Sequence, residues 1–252
     1  MTTPVQTNDL SGKVAIVTGA ASGIGRATVE LLVERGVRVV AEDRNVAVEA
    51  LASPSVAPLV ADVTNEDSAH RVVALAQQRF GGLDILVNNA GIIINKTVTD
   101  MTLDDWNSIL AVNATGAFLH SREAVRAMTP QKSGAIVNVG SYACFQAFPT
   151  IAAYAASKGA LAQLTRALSL EVIEHGIRVN AVGSGDVITH ILDEIHEDGS
   201  GFLAKHGSGT PIGRAAQPRE IAQVIAFLAS EQAAYLVGSI VMADGGMSVA
   251  AG

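Results

Sequence analysis

KVAIVTGAASGIG, residues 13–25, is the stretch of sequence that decides the fold of this chain. Its first seven residues form a short run that is rich in β-branched side chains, and such a run predicts a buried strand. The strand runs through glycines directly into the helical spacing of residues 23–36. Glycines allow a tight turn, and the helix N-terminus offers free N–H groups and a positive dipole end to a phosphate. The spacing is GxxxGxG and not the general GxGxxG, so the strand–turn–helix context is what indicates a dinucleotide site.

Apolar runs of strand length alternate with segments of helical spacing along the rest of the chain. Such alternation predicts parallel strands with helices covering both faces of the sheet. The predicted fold class is therefore α/β, a doubly wound, Rossmann-type sheet of seven parallel strands. The further strands are expected at residues 37–43, 57–63, 83–91, 134–141, 177–182 and 238–246, and the further helices at residues 66–80, 103–128, 152–175 and 218–230.

The whole chain, residues 1–252, is predicted to form a single domain, because it contains no internal repeat and no low-complexity linker. Residues 1–12 are expected to be a loosely held tail. Residues 183–213 are glycine-rich and irregular, and a loop of that length inside a compact domain is usually functional. We expect this segment to be a substrate loop or lid.

The composition excludes several classes of protein. The net charge is −7 and Lys and Arg form no cluster, so nucleic acid is not expected as a partner. No apolar run reaches the roughly 18 residues of a membrane helix, and the N-terminus lacks the pattern of a secretory signal. We therefore expect a cytoplasmic protein. The high hydrophobic content, 49%, favours a deeply buried sheet, subunit interfaces or both.

A second informative stretch is SYACFQAFPTIAAYAASK, residues 141–158. Tyr154 and Lys158 are four residues apart, so in a helix they lie one turn apart on the same face. An ammonium group beside a phenol favours the phenolate and lowers the pKa of the tyrosine. A tyrosine tuned in this way can act as a general acid or base.

Asp43 ends the second predicted strand and indicates which dinucleotide is bound. A carboxylate there accepts hydrogen bonds from the adenosine ribose and repels a 2′-phosphate, which favours NAD over NADP. Arg44 leaves dual use open, because a guanidinium beside that ribose can hold a phosphate. The alternative for Arg44 is a solvated side chain over the adenine edge.

Several motifs together resemble those of the short-chain dehydrogenase/reductase family, in its single-domain branch. They are TGAASGIG (18–25), NNAG (88–91), AVNATG (111–116), the set of Ser141, Tyr154 and Lys158, and ADGG (243–246). The resemblance extends from Lys13 to Gly246.

The resemblance implies hydride transfer between a substrate carbon and a nicotinamide, with four catalytic residues. Tyr154 would be the general acid or base, and Lys158 would lower its pKa and hold the nicotinamide ribose. Ser141 would orient the substrate oxygen; its alternative role is that of a strand-end cap. Asn113 would hold a water molecule that links Lys158 to solvent.

The resemblance also implies a set of cofactor contacts. The residues are Gly19, Ser22, Gly23, Ile24 and Gly25 at the pyrophosphate, Asp43 at the ribose, Asp62 and Val63 at the adenine, Asn89, Ala90 and Gly91 under the adenosine ribose, Tyr154 and Lys158 at the nicotinamide riboside, and Val187 and Thr189 at the nicotinamide carboxamide. For Asp62 the alternative is a turn residue or helix N-cap. Asn88 is expected to tie neighbouring strands together.

Two departures from the family pattern bear on the site. The family usually has Pro-Gly after the sixth strand, where this chain has Gly183-Ser184-Gly185, and we expect a more mobile loop there. Gly140 replaces a more usual serine and is expected to open space beside the substrate.

The substrate pocket is expected to form from three segments, residues 92–95, 142–148 and 190–210. The first two are largely apolar, and the third brings His190, Asp193, Glu194, His196 and Lys205. A mixed pocket favours a cyclic or polyol secondary alcohol. The histidines at 190, 196 and 206 match no metal-ligand spacing, so no metal is expected. Cys144, the single cysteine, is expected to be a pocket-lining apolar side chain, with a reactive thiol as the alternative.

Three functions remain open from the sequence. The first is an NAD-dependent oxidoreductase for a secondary alcohol or ketone. The second is an NADPH-dependent 3-oxoacyl reductase, and the third is a catalytically silent NAD-binding redox sensor. A homo-oligomer, either a tetramer or a dimer, is expected through helices 103–128 and 152–175 and the last strand.

Overall fold

A computed structural model of the chain, which describes residues 10–193, 195 and 197–250, contains a sheet of seven parallel strands. The strands are β1 (Val14–Thr18), β2 (Arg38–Asp43), β3 (Val56–Val60), β4 (Ile85–Asn88), β5 (Gly134–Ser141), β6 (Ile177–Ser184) and β7 (Ile240–Ala243). Their order in the sheet is β3-β2-β1-β4-β5-β6-β7. The chain therefore reverses its direction of travel between β1 and β4, and parallel sheets bind their ligands at the carboxyl ends of the strands at such a point.

Helices cover both faces of the sheet. They are α1 (Gly23–Glu34), α2 (Glu66–Phe80), α3 (Leu103–Leu110), α4 (Ala117–Met128), α5 (Ala152–Val172), α6 (Gly199–Gly207) and α7 (Pro218–Ala229). Buried side chains of α1 and α7 form one apolar core against the sheet, and those of α2, α4 and α5 form the other. The doubly wound α/β architecture predicted from the sequence is confirmed.

The predicted helix 103–128 is interrupted. Residues 111–116 form one wide π-helical turn between α3 and α4. The side chain of Asn113 in this turn bonds the backbone of Ile92, at 2.8 Å to its N–H and 3.0 Å to its carbonyl oxygen. A side chain held from outside the helix explains why the helical ladder widens here, and such π-turns are frequent at functional sites.

The predicted strands 57–63, 83–91 and 238–246 each end three residues early, and in the last two side chains take over the backbone partners. After Asn88, the N–H groups of Asn89 and Ala90 donate to the Thr18 hydroxyl at 3.0 and 3.1 Å, so β4 ends there. After Ala243, the Asp244 carboxylate accepts the N–H groups of residues 246 and 248, so β7 ends in a turn.

The segment 183–213 is more regular than predicted. Its first two residues continue β6, and residues 199–207 form α6 with the Asp198 side chain capping the helix at the Gly201 N–H. The short, glycine-rich sequence of α6 carries no periodicity that would reveal it. Glu194 and His196 lie outside the described residues, so their predicted place in the pocket stays a prediction.

Residues 1–9 of the predicted tail also lie outside the described part of the chain. Leu10, however, is buried in the core on the α1 side of the sheet. The N–H of Gly12 donates to the Gly36 carbonyl at 2.9 Å. Residues 10–12 are therefore part of the fold and not of a loose tail.

None of the helices in the described residues combines the length and the apolar composition that crossing a membrane would need.

Candidate active site

The glycine turn after β1 packs directly against the segment after β4. A side-chain carbon at Gly19 would lie 2.8 Å from the Asn89 amide nitrogen, and one at Gly25 would lie 2.0 Å from the Gly19 carbonyl oxygen. Gly19 also has a positive φ of 66°. Only glycine is accommodated at these two positions. The Asn89 side chain holds the turn by donating to the carbonyl oxygens of Thr18 and Gly19.

The N-terminus of α1 has the features of an anion site. Ser22 is the N-cap residue, with extended backbone, and its side chain makes no capping hydrogen bond. The first-turn N–H groups, which include those of Gly23 and Ile24, are therefore left without a side-chain cap at the end of the turn. A dinucleotide pyrophosphate fits these residues, because it supplies the acceptors and the negative charge that this helix end favours.

Asp43, at the carboxyl end of β2, has a structural function that the sequence did not reveal. One carboxylate oxygen accepts the N–H of Ala21 at 2.9 Å, and the other accepts the N–H of Asn45 at 2.8 Å. Asp43 thereby joins β2 to the glycine turn. The carboxylate lies at the predicted ribose end of the site and retains acceptor capacity for hydroxyl groups.

Asp62 and Val63 follow β3 on the same side of the site. Asp62 is exposed, and its carboxylate accepts the N–H and the hydroxyl of Thr64, so the turn that the sequence left as an alternative is present. The N-cap of α2 is Asn65 and not Asp62. Val63 is buried against Gly116, where a side-chain carbon would lie 3.0 Å away.

Asn113, Lys158 and Gly91 lie together at the other end of the site. A side-chain carbon at Gly91 would lie 3.4 Å from Asn113 Oδ1 and 3.6 Å from Lys158 Nζ. Asn113 is 1% exposed and donates to the Ser157 hydroxyl at 2.9 Å. The structure thus brings three residues from different elements to one point, with Ser157 as a contact that the sequence did not single out.

Burial dominates the electrostatics of Lys158 and Tyr154. Burial lowers the pKa of Lys158 to about 8, and the ammonium donates to the Val139 carbonyl oxygen at 2.8 Å. Burial raises the pKa of Tyr154 to about 12, against the opposing effect of its hydrogen bond with Ser141. Lys158 Nζ lies 5.6 Å from the centre of the Tyr154 ring.

Whether Lys158 also lowers the pKa of Tyr154 stays a prediction, because burial sets the net direction of the shift in this arrangement. The ammonium is engaged by a carbonyl oxygen, and removing the phenol from water disfavours its ionised form. The raised pKa favours the neutral phenol, which is the form that donates a proton.

The space beside Gly140 is filled, contrary to the sequence expectation. A side-chain carbon at Gly140 would lie 3.0 Å from Cys144 Sγ and 3.1 Å from the Val182 carbonyl oxygen. Cys144 lies in the short turn after β5, and its thiol donates to the Lys158 carbonyl oxygen at 3.3 Å. The glycine makes room for the cysteine and not for a substrate.

The segment after β6 is also more ordered by hydrogen bonds than the glycines suggested. Ser184 is buried, pairs with Ser141 in the strand register, and donates its hydroxyl proton to the Gly140 carbonyl at 3.2 Å. Thr189 reaches the glycine turn, where a side-chain carbon at Gly23 would lie 3.1 Å from its methyl group. Val187 is buried and forms an isolated bridge with Ala216.

A buried acid–histidine pair lies beneath the predicted adenosine end. Glu42 and His120 are at most 1% exposed and 2.9 Å apart, and His120 Nδ1 lies 2.8 Å from the Gly116 carbonyl. Burial by itself would lower the pKa of His120, but the hydrogen bond and the charge of Glu42 raise it. The residues are 78 positions apart, so no local pattern could have revealed the pair.

The histidines of the segment 183–213 pair with carboxylates. His190 Nδ1 lies 2.7 Å from Asp193, and His206 Nδ1 lies 2.6 Å from Asp186. Among the residues that the structure describes, no group of three His, Cys, Asp or Glu side chains is arranged to hold a metal ion.

Comparisons with known proteins show the family of the chain. The family model described as enoyl-(acyl carrier protein) reductase matches residues 19–248. The 3-oxoacyl-(acyl-carrier-protein) reductase of Thermotoga maritima is 37% identical over 247 residues, which cover 95% of this chain and 99% of that protein. The cis-4-hydroxycyclohexanecarboxylate dehydrogenase of Sinomonas cyclohexanicum is 40% identical over 241 residues, covering 93% and 96%.

Solved structures share the fold over nearly the whole length of the chain. The aldohexose dehydrogenase of Thermoplasma acidophilum superposes with a TM-score of 0.89 at 30% identity, covering 97% of each chain. With the sequence motifs, the sheet order and the relatives in agreement, the chain belongs to the short-chain dehydrogenase/reductase family of oxidoreductases.

Proposed function

We propose that this enzyme transfers a hydride between NAD(H) and an uncharged secondary alcohol or ketone, with a cyclic or polyol carbon skeleton. The observation that supports this most strongly is the meeting of Tyr154, Ser141, Lys158 and Asn113 at the carboxyl ends of the central strands. A nicotinamide supplies or accepts the hydride when it is bound, and the protein supplies position and a proton donor.

In ketone reduction Tyr154 donates its phenolic proton to the carbonyl oxygen. Its raised pKa keeps it protonated until the substrate oxygen becomes negative. Ser141 lies in hydrogen-bond contact with Tyr154 and orients the same oxygen. In alcohol oxidation the proton moves in the opposite direction.

Lys158 and Asn113 take part in supplying the proton, and Lys158 also holds the nicotinamide ribose. The ammonium of Lys158, with a pKa of about 8, exchanges its proton near neutral pH. Asn113 lies beside it across Gly91 and holds the backbone of Ile92 in place. The cofactor is held by the turn of residues 19–25, by Asp43, Asp62 and Val63, by residues 89–91, and by Val187 and Thr189.

NAD is proposed over NADP because Asp43 presents a carboxylate where a 2′-phosphate would lie. A titration of the enzyme with both reduced nucleotides, followed by absorbance at 340 nm during ketone reduction, tests this choice. We expect kcat/KM to be at least about tenfold higher with NADH. Equal or higher values with NADPH would contradict it.

Tyr154→Phe tests the catalytic proposal, because it removes the proton and keeps the ring. We expect turnover to fall by about 10²-fold or more, the usual range for loss of a general acid. NAD binding, measured by thermal shift, should be retained. Tyr235→Phe, at a fully exposed tyrosine, is the matched control and should retain activity. Full activity in Tyr154→Phe would refute the mechanism.

Reduction of a 3-oxoacyl thioester with NADPH is the second candidate. It is favoured by the similarity of this chain, over 99% of that protein's length, to the 3-oxoacyl-(acyl-carrier-protein) reductase of Thermotoga maritima. Assays with an acetoacetyl thioester and with cyclic ketones, each with both nucleotides, distinguish the two candidates. Exclusive activity on the thioester with NADPH would establish the second.

A further inference from the structure

Tyr142, Asp186 and His206 form a polar cluster that joins three elements. Asp186 follows β6, and its side chain is 6% exposed. One carboxylate oxygen lies 2.6 Å from Nδ1 of His206 on α6, and the other accepts a long hydrogen bond of 3.5 Å from the Tyr142 hydroxyl. No part of the hydride-transfer mechanism above uses these residues.

The cluster lies between two segments of the proposed site. Tyr142 directly follows Ser141, and its phenol interacts electrostatically with the phenol of Tyr154. Asp186 directly precedes Val187, and Thr189, two residues further on, contacts the glycine turn. The cluster is thus held between the proposed proton donor and the segment proposed to hold the nicotinamide.

The contact with Asp186 determines the direction in which the Tyr142 hydroxyl donates its hydrogen bond. A carboxylate only accepts, so in this long contact of 3.5 Å the phenol is the donor, and the lone pairs of the phenol oxygen remain for another partner. Burial, together with the charge of Asp186, raises the pKa of Tyr142 well above its usual range. Tyr142 therefore remains a phenol, and its oxygen acts as an acceptor.

Among the described residues around Asp186, no Lys or Arg side chain is paired with its carboxylate. A cavity of about 290 Å³ adjoins it, and the charged side chains in its described lining are Arg214, Glu220 and Asp244. Both terminal nitrogens of Arg214 are paired with Glu220 at 2.7 Å. His206, which is partly exposed, is the group that directly partners the carboxylate.

We propose that Tyr142, held by Asp186 and His206, selects uncharged substrates that carry a second hydroxyl group next to the reacting carbon. Such a hydroxyl can donate to the Tyr142 oxygen. A carboxylate substrate meets the negative potential of Asp186. An acyl thioester group carries only hydrogen-bond acceptors, and these cannot pair with the acceptor oxygen of Tyr142. This inference rests on the proposed function and names its substrate class.

The test compares pairs of alcohols with the intact enzyme and NAD⁺, followed at 340 nm. The probes are cyclohexanol, trans-1,2-cyclohexanediol and cis-4-hydroxycyclohexanecarboxylate. We expect kcat/KM for the diol to exceed that for cyclohexanol by about tenfold, the usual size of discrimination by one hydrogen bond. The acid should be the poorest of the three substrates.

Two variants separate a role in specificity from a role in folding. Tyr142→Phe should lower the diol-to-cyclohexanol ratio to about twofold or less, through KM more than kcat. Asp186→Asn should raise the acid-to-cyclohexanol ratio by about tenfold, because it removes the negative charge and keeps the shape. Tyr235→Phe is the control and should leave both ratios as in the unmodified enzyme. Loss of structure alone cannot produce opposite changes in two substrate ratios.

The outcomes separate this inference from the proposed function. Turnover of cyclohexanol with no preference for the diol, or unchanged ratios in both variants, would overturn the inference and leave the proposed function standing. An enzyme that turns over no alcohol or ketone with either nucleotide would overturn both.

Discussion

Single residues in this site are governed more by burial than by their neighbours' charges. Lys158 has lost most contact with water, and its ammonium has one carbonyl oxygen in return. Tyr154 beside it is half-buried, and burial raises the pKa of its phenol. The two pKa values are therefore shifted in opposite directions, that of Lys158 downward and that of Tyr154 upward, and burial is the cause in both.

The depressed pKa of Lys158 predicts how stability depends on pH. Burial lowers the pKa of this lysine in the folded protein to about 8, from the ordinary value of 10.5 that applies to the unfolded chain. Between these values the unfolded chain binds more protons, so folding becomes more favourable as pH rises. We expect the free energy of unfolding to rise by about 1–2 kcal/mol between pH 7 and 9.5, relative to Lys158→Met.

Urea unfolding of the unmodified protein and of Lys158→Met at both pH values measures this difference. The comparison cancels the titration of the groups that the two proteins share. Parallel pH dependence in the two proteins would show that the buried ammonium is not destabilised, and the electrostatic account of the site would fail.

Residue-level prediction from the sequence succeeded where the relative position of two residues depends on local spacing. Ser141, Tyr154 and Lys158 lie within 18 residues, and Tyr154 and Lys158 are one helical turn apart on α5. The fit between Gly140 and Cys144 was not predictable, because it depends on the path of the short turn after β5. The pKa of Tyr154 was not predictable either, because burial is a property of the folded chain.

At the scale of elements, the pair Glu42–His120 joins β2 to α4 across the core. His120 also contacts the carbonyl of Gly116, the last residue of the π-turn. One carboxylate oxygen of Glu42 has no hydrogen-bond partner among the described residues. The pair therefore connects the strand that carries Asp43 with the turn that carries Asn113.

We expect His120→Leu alone to destabilise the protein by about 3–5 kcal/mol, because it leaves a buried carboxyl group unpaired. The double variant Glu42→Val/His120→Leu should recover at least about 1 kcal/mol, since two apolar side chains replace the buried pair. Urea unfolding of the three proteins measures the recovery. A double variant less stable than His120→Leu would show that the carboxyl group has another stabilising partner.

The sequence predicted elements well where their periodicity was strong and poorly where side chains redirect the backbone. The seven strands and five of the helical segments follow from apolar runs and helical spacing. The π-turn depends on Asn113 reaching Ile92, and the ends of β4 and β7 depend on Thr18 and Asp244. Short α6 lies in a glycine-rich segment with no apolar period.

At the scale of the whole molecule, the β7 edge of the sheet is more exposed than its centre. The strand β7 pairs only with β6, and all four of its residues are half-buried, whereas β1 is fully buried. On the helical face, Phe118 of α4 is 45% exposed and Leu170 of α5 is 75% exposed. Apolar side chains at such positions mark surfaces that another subunit can cover.

We expect the protein to be a dimer or tetramer at micromolar concentration, assembled through α4 and α5. The variant Phe118→Glu/Leu170→Glu places charges on both helices and should reduce the mass measured by light scattering by half or more, because burying an unpaired charge at an interface is costly. Val98→Glu, at an exposed valine between β4 and α3, is the matched control and should leave the mass unchanged. A monomeric unmodified protein, or a double variant of unchanged mass, would show that these helices do not form the interface.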